Sequence, residues 1–92
     1  MTKKSEIFEI INERGFHARP ASLFVQNAGN YASNISVKNL TSGEIADEKR
    51  LMSLLILAAG KGTRLEVTAD GPDAEEALKG LGTMIRGGFD ED

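Results

Sequence analysis

Alternating apolar and polar residues mark several segments that each suit a strand with one buried face. Between Thr63 and Asp70, the apolar residues Leu65, Val67 and Ala69 are separated by charged or hydroxyl-bearing residues. Turn-forming residues such as Thr41-Ser42-Gly43 separate the alternating segments from one another. The pattern predicts four strands, at Ser5 to Ile11, Asn34 to Asn39, Glu44 to Asp47 and Thr63 to Asp70.

Three other segments carry apolar residues at helical spacing. Pro20 fits the first turn of the first of these helices, because its missing N–H is not needed there. The middle segment is rich in leucine rather than in β-branched residues, which favours a helix over a strand. In the last segment, Gly80 and Gly82 each weaken the helix by about 1 kcal/mol relative to alanine. The first predicted helix runs from His17 to Gly29-Asn30, and the second runs from Lys49 to Ala59. The third opens at Gly71-Pro72-Asp73, has Asp73, Glu75 and Glu76 in its first turn, and ends at Arg86-Gly87-Gly88.

The element order is therefore β-α-β-β-α-β-α, which predicts an α+β fold. Strands with one polar side suit a single sheet that is covered by helices on one face only. The 92 residues correspond to one domain. We expect this domain to span residues 1–88, followed by a short acidic tail at 89–92 that is exposed and partly mobile.

Composition excludes several classes of function. The chain has no cysteine and one histidine, which rules out a thiol nucleophile, a disulfide framework and a cysteine- or histidine-rich metal site. Eleven scattered basic residues and a net charge of −3 argue against nucleic-acid binding. The longest apolar run is too short to span a bilayer, and we expect the protein to be cytoplasmic. No cofactor or metal is expected.

The segment from Gly15 to Ala21 (Gly-Phe-His-Ala-Arg-Pro-Ala) is the most informative for chemistry. It places His17 at the N-cap of a helix, where unpaired backbone N–H groups and the helix dipole favour an anion. The amides of Ala18 and Arg19 are available, and the Arg19 guanidinium adds a permanent charge with a geometry that fits phosphate. A neutral imidazole is a nucleophile, so phosphorylation of His17 is one interpretation. The other is an ordinary surface histidine at a helix start.

This segment closely resembles the active-centre segment of the histidine-containing phosphocarrier (HPr) family of the bacterial phosphotransferase system. The resemblance covers nearly the whole chain, including the Gly60-Lys61-Gly62 loop and the Ala69 to Asp73 entry to the last helix. It implies an open-faced β-sandwich, βαββαβα, in which three helices cover one face of a four-stranded antiparallel sheet. The ending Gly88 to Asp92 resembles the nitrogen-branch members more than the sugar-transport members.

The resemblance also implies the function and the site. His17 would accept a phosphoryl group on Nδ1, with Arg19 beside it and the backbone of Ala18 and Arg19 binding the phosphoryl oxygens. The donor would be a phosphoenolpyruvate-dependent enzyme I, or its nitrogen-branch counterpart, and the acceptor a histidine on a IIA-type protein. Such a protein is a stoichiometric carrier and not an enzyme, and we expect a monomer. The alternative is a regulatory protein-binding module of the same fold that is not phosphorylated.

The second predicted helix departs from the family at one position. Many members carry a serine at its start, which a dedicated kinase phosphorylates, whereas this chain has Arg50 there after Lys49. Control by that kinase is therefore not expected. Ser53, three residues on, is either a substitute regulatory site or, the interpretation we favour, a simple helix-surface serine.

Partner docking is a second role that the resemblance implies for this helix. Leu51, Met52 and Leu55 would form an exposed apolar patch near His17, a common signature of an interaction surface. Phe16, beside His17, would shield the site or meet a partner, or else be a half-buried loop aromatic. The alternative for the helix is that these side chains belong to the core, as we expect for Leu54, Leu57 and Ala58.

Overall fold

The computed structural model describes residues 2–15, 17–47 and 60–90. The predicted second helix, with Arg50, Ser53, the proposed docking residues Leu51, Met52 and Leu55 and the proposed core residues Leu54, Leu57 and Ala58, lies outside the described residues, as does Phe16. The described elements are the strands β1 (Lys3–Glu9), β2 (Asn34–Asn39), β3 (Ile45–Asp47) and β4 (Arg64–Asp70), and the helices α1 (Ala18–Ala28) and α2 (Ala74–Arg86).

The four strands form one antiparallel sheet in the order β1-β4-β2-β3. Since β4 lies in the middle, the first and second strands of the chain both pair with it, from Lys3 and Asn34 at its Asp70 end to Glu9 and Asn39 at the opposite end. Ser5 and Thr68 share a hydrogen bond of 2.7 Å on the polar face. The α+β open-faced architecture expected from the sequence is confirmed for the described elements.

One core lies between the sheet and the helices, and the strands supply seven of the seventeen buried apolar residues in the described part of the chain. The apolar stripe predicted for α2 is buried in full, and α1 contributes its small and aromatic residues. The core includes Phe8, Ile10, Ile35, Val37, Leu65, Val67 and Ala69 from the sheet side and Ala21, Phe24, Ala28, Ala74, Ala77, Leu78, Leu81 and Ile85 from the helices.

Most predicted boundaries agree with the structure to within one residue, but β1 is displaced. The strand covers Lys3–Glu9 rather than Ser5 to Ile11, because β4 continues to Asp70 and so offers pairing partners to Lys3 and Lys4. Ile10 remains buried next to the sheet, where its amide donates to the Thr63 carbonyl at 2.9 Å. Ile11 is exposed.

The glycines inside α2 have a packing reason that the sequence analysis did not find. A Cβ at Gly82 would lie 2.5 Å from Cε1 of the Phe8 ring, so the helix reaches β1 only because this position has no side chain. Arg86, one turn further along the helix, contacts the same Phe8 ring. Its guanidinium carbon is 4.9 Å from the centroid of the Phe8 ring, and it also pairs with Glu6. The helix-weakening glycine is therefore part of how α2 packs on the sheet.

The expected exposed tail is wrong at its first residue. Phe89 is only 3% exposed and belongs to the core. It lies in a short 3-10 turn, Gly88–Asp90, in which Phe89 itself has a φ of 57°. A non-glycine residue in this left-handed region costs about 1–2 kcal/mol, and burial of an aromatic side chain offsets a cost of that size.

Candidate functional site

His17 lies at the N-cap of α1, in an extended conformation with φ −98° and ψ −167°. Its carbonyl accepts the Ala21 amide at 2.9 Å, which starts the helical hydrogen bonding. The helix is held in place by buried residues one turn further in, beginning with Pro20 and Ala21. His17 itself is half-buried, and its backbone is hydrogen-bonded on both sides, to Gly15 and to Ala21.

The first turn of α1 is open to an anion. Ala18 and Arg19 are exposed, the helix has no acidic residue in its first turn, and no side chain caps its N-terminus. The amides of Ala18 and Arg19 have no acceptor within the helix, because the first four N–H groups of any α-helix lack one. Arg19 is thus placed beside His17 on the same exposed end, where its charge adds to that of the helix dipole.

A tight turn precedes His17. The Gly15 amide donates to the Asn12 carbonyl at 3.0 Å, and the side-chain nitrogen of Asn12 donates to the Gly15 carbonyl at 2.7 Å. Gly15 has a φ of 68°, a conformation that glycine adopts without steric cost. The amide of His17 donates to the same Gly15 carbonyl at 3.1 Å. The His17 amide is therefore used within the protein, and the amides of the next two residues are the ones left for a ligand.

The loop at 60–63 supports this turn from the side. Its backbone brackets Ile10, with the Gly62 amide donating to the Ile10 carbonyl at 2.7 Å. Lys61 Nζ lies 2.6 Å from Glu13 Oε1. The hydrogen bond and charge of Lys61 lower the pKa of the Glu13 carboxyl below its ordinary value. The Gly60-Lys61-Gly62 segment is thus bonded to the residues just before His17, through Ile10 and Glu13.

Asp73 does not have the role that the sequence suggested. It precedes the first turn of α2 instead of lying within it, and its carboxylate points to a different segment of the chain. It accepts hydrogen bonds from the amides of Ala32 and Ser33 and from the Ser33 hydroxyl, at 2.8, 2.9 and 2.5 Å. The Ser33 hydroxyl and the Ala32 amide lower the pKa of the Asp73 carboxyl.

The groove between the two described helices does not include the candidate site. A groove of about 320 Å³ runs between the two helices, and neither His17 nor Arg19 lines it. Within residues 2–15, 17–47 and 60–90, no three metal-ligating side chains come together. In that same part of the chain, no helix has the length and apolar character needed to cross a bilayer. A half-buried histidine next to exposed residues of a helix start is an arrangement that a second protein could reach.

Sequence reasoning placed His17 and Arg19 two residues apart at one helix start, and in the structure His17 is the N-cap of α1 and Arg19 lies in its first turn. It missed Asn12 and the pairing of Glu13 with Lys61. A signal for Asn12 exists in the sequence, since asparagine at the first position and glycine at the fourth position are favoured in a β-turn. No local signal pairs Glu13 with Lys61, because 48 residues separate them.

Residues 4–86 match the sequence model of the family described as "PTS HPr component phosphorylation site". The multiphosphoryl transfer protein of Vibrio cholerae is 42% identical over 85 residues, which are 91% of this chain and 21% of that protein. The chain therefore spans about a fifth of the length of that relative. The phosphocarrier protein NPr of Klebsiella oxytoca is 37% identical over 92 residues, which cover 100% of both chains.

A solved structure shows the same fold. The crystal structure of HPr-C-His from Thermoanaerobacter tengcongensis superposes with a TM-score of 0.90 and is 37% identical in sequence. The match covers 97% of this chain and 98% of that chain.

Proposed function

The chain belongs to the PTS HPr family, and from that premise we propose that it is a phosphocarrier that receives a phosphoryl group on His17 and passes it to another protein. One observation carries this proposal. His17 starts a helix whose first turn contains an exposed arginine and no acidic residue.

The roles follow from this geometry. His17 Nδ1 attacks the phosphorus held by the donor, and the bond between phosphorus and the donor breaks with its electron pair leaving on the donor. The Ala18 and Arg19 amides and the Arg19 guanidinium stabilise the charge on the phosphoryl oxygens. In the second transfer, the nitrogen–phosphorus bond at His17 breaks while a histidine of the acceptor attacks. The carrier is the phosphoryl acceptor in the first transfer and the phosphoryl donor in the second, so it takes part stoichiometrically in both.

The partners belong to the same proposal. The donor is a phosphoenolpyruvate-dependent enzyme I or its nitrogen-branch counterpart, and the acceptor is a IIA-type protein. Phe16, Leu51, Met52 and Leu55 supply the docking surface in this proposal, on the family resemblance alone. Overall sequence identity does not favour the nitrogen branch, so the ending Gly88 to Asp92 is what favours that branch in this proposal.

Intact-mass spectrometry tests the proposal. The protein is incubated with phosphoenolpyruvate, Mg²⁺ and purified enzyme I from each branch, and its mass is measured at neutral to alkaline pH. We expect the gain of one phosphoryl group, which is lost in acid and absent from the His17→Ala variant. The donor that acts faster identifies the branch.

Two outcomes would contradict the proposal. Acceptance of phosphate by His17→Ala would place the site elsewhere. No gain with either donor, together with equal binding of a IIA-type protein by wild type and His17→Ala, would favour the regulatory module that is not phosphorylated.

A further inference from the structure

The turn before His17 is built on a fixed base. Ile10 is fully buried, its amide donates to the Thr63 carbonyl at 2.9 Å, and its carbonyl accepts the Gly62 amide at 2.7 Å. Two residues later, Asn12 is 3% exposed. A buried asparagine in a loop is unusual, since asparagine is mostly exposed and pays a desolvation cost when it is not. This cost suggests that its side chain has a task.

The side chain of Asn12 fixes the orientation of one carbonyl. Its nitrogen lies 2.7 Å from the Gly15 oxygen. The nitrogen and not the side-chain oxygen must face this carbonyl, because a carbonyl has no proton to donate. The backbone closes the same turn in the opposite direction, from the Gly15 amide to the Asn12 carbonyl.

The same Gly15 oxygen also accepts the His17 amide at 3.1 Å. A carbonyl oxygen has two lone pairs, and Asn12 and His17 occupy both of them here. The direction of the His17 N–H, and with it the plane of the peptide that enters α1, is therefore set by a carbonyl that Asn12 holds. The path runs from a buried side chain to the backbone of the proposed nucleophile in two hydrogen bonds.

We propose that Asn12 is a positioning residue for phosphoryl transfer. It touches neither the phosphoryl group nor the partner. It holds the Gly15 carbonyl so that His17 presents its ring at the helix start and the Ala18 and Arg19 amides face the phosphoryl oxygens. This inference rests on the proposed function of His17, and it adds a residue outside the His-Ala-Arg-Pro motif.

A matched pair of substitutions tests the proposal. Asn12→Asp keeps the shape but replaces the donating nitrogen with an oxygen that repels the Gly15 carbonyl. Asn39→Asp makes the same chemical change at another buried turn asparagine, which is 5% exposed. There the side-chain oxygen accepts the amides of Thr41 and Ser42, at 2.9 and 3.2 Å, and a carboxylate retains these two bonds.

The measurement is single-turnover transfer from phosphorylated donor enzyme at increasing concentrations of the carrier. We expect Asn12→Asp to lower the maximal rate about tenfold, since a displacement of about 1 Å can cost up to a hundredfold. The concentration for half-maximal rate should stay within about twofold, because the docking surface is unchanged. Asn39→Asp should keep both parameters within about twofold of wild type.

Three results separate the possibilities. Equal maximal rates for the two variants would overturn the inference, as would a loss confined to the half-maximal concentration. No acceptance by wild type would refute the proposed function instead. Should Asn12→Asp fail to fold, hydrogen exchange of the wild-type Asn12 side-chain amide decides: slow exchange supports the inference, and exchange at the rate of an exposed amide overturns it.

Discussion

The N-termini of the two described helices differ in how they use their unpaired amides. At the start of α2, Glu75 and Glu76 lie in the first turn, and Asp73 precedes them. At the start of α1, no acidic residue is present, and Arg19 occupies the first turn. Acidic side chains stabilise a helix N-terminus by about 0.3–1 kcal/mol each, so α1 forgoes a stabilisation that α2 has.

The difference separates a helix start that carries its own negative charge from one that does not. Asp73 ties α2 to the segment before β2 through three hydrogen bonds, so the negative charge there is permanent and internal. The start of α1 lacks an internal negative charge, and a phosphoryl group on His17 would supply one for as long as it is bound. The proposed carrier must release the phosphoryl group again, and a helix start without a negative charge of its own is consistent with temporary binding.

The largest effect is expected when α1 is given the acidic residue that its first turn lacks. Ala18→Glu places a carboxylate in the exposed first turn. We expect phosphoryl transfer to fall by about ten- to a hundredfold, because a like charge within a few ångströms costs on the order of 1–3 kcal/mol at a protein surface. Helix stability should stay the same or rise by about 0.3–1 kcal/mol. Single-turnover transfer and urea unfolding measure the two effects.

Ala18→Gln is the matched control, because it has the size of glutamate without the charge. It should transfer within about twofold of wild type. A loss of transfer as large as that of Ala18→Glu would mean that bulk at this position matters and not charge, and the comparison of the two helix starts would lose its electrostatic basis.

An element could be predicted well from the sequence where its cause is local, and poorly where its cause lies far away along the chain. β2 and β4 are delimited well from the sequence, because their alternation is set by one buried face. The start of β1 depends on how far β4 extends, 60 or more residues away, and the local pattern does not contain that information. Gly82 is similar, since its contact with Phe8 crosses from the last helix to the first strand.

The candidate site was predictable as far as it is contiguous. His17 and Arg19 lie in one short motif at a helix start, and sequence and structure agree on their placement. Asn12 was treated as an ordinary loop residue, although its contact with Gly15 is local, because burial of the side chain does not show in a single sequence. The bond between Asp73 and Ser33 joins residues 40 positions apart, and only the folded chain brings them together.

Asp73→Asn removes the carboxylate that precedes the first turn of α2, and we expect it to change the stability of the protein and not phosphoryl transfer. The pKa of Asp73 is lowered in the folded protein, so its contribution is present above the ordinary aspartate pKa of about 4 and is lost as the pH falls through the folded value. Asp73→Asn should lower the melting temperature at pH 7 and reduce its further fall as the pH drops below about 4. Thermal unfolding across this range measures both.

Phosphoryl transfer by folded Asp73→Asn should match wild type, because Asp73 lies at the opposite end of the sheet from the turn before His17. If the melting temperature of Asp73→Asn fell in acid as steeply as that of wild type, the hydrogen bonds of Asp73 would not stabilise the fold. If fully folded Asp73→Asn lost much of its phosphoryl transfer, the two helix starts would be coupled, and the separation of stability from transfer would be wrong.

The smallest expected effect concerns the remaining charges on the first turn of α2. Glu75 pairs with Lys4 at 3.5 Å, with side chains 82% and 46% exposed, whereas Glu76 makes no ion pair in the described part of the chain. Glu76→Gln removes the dipole interaction alone, and Glu75→Gln removes both, so we expect losses of about 0.3–0.5 and 0.5–1 kcal/mol by urea unfolding. Both losses should shrink in 1 M salt, because exposed charges are screened there. Losses that salt leaves unchanged would show that these residues act through packing, and the charge difference between the two helix starts would then not account for the stability of α2.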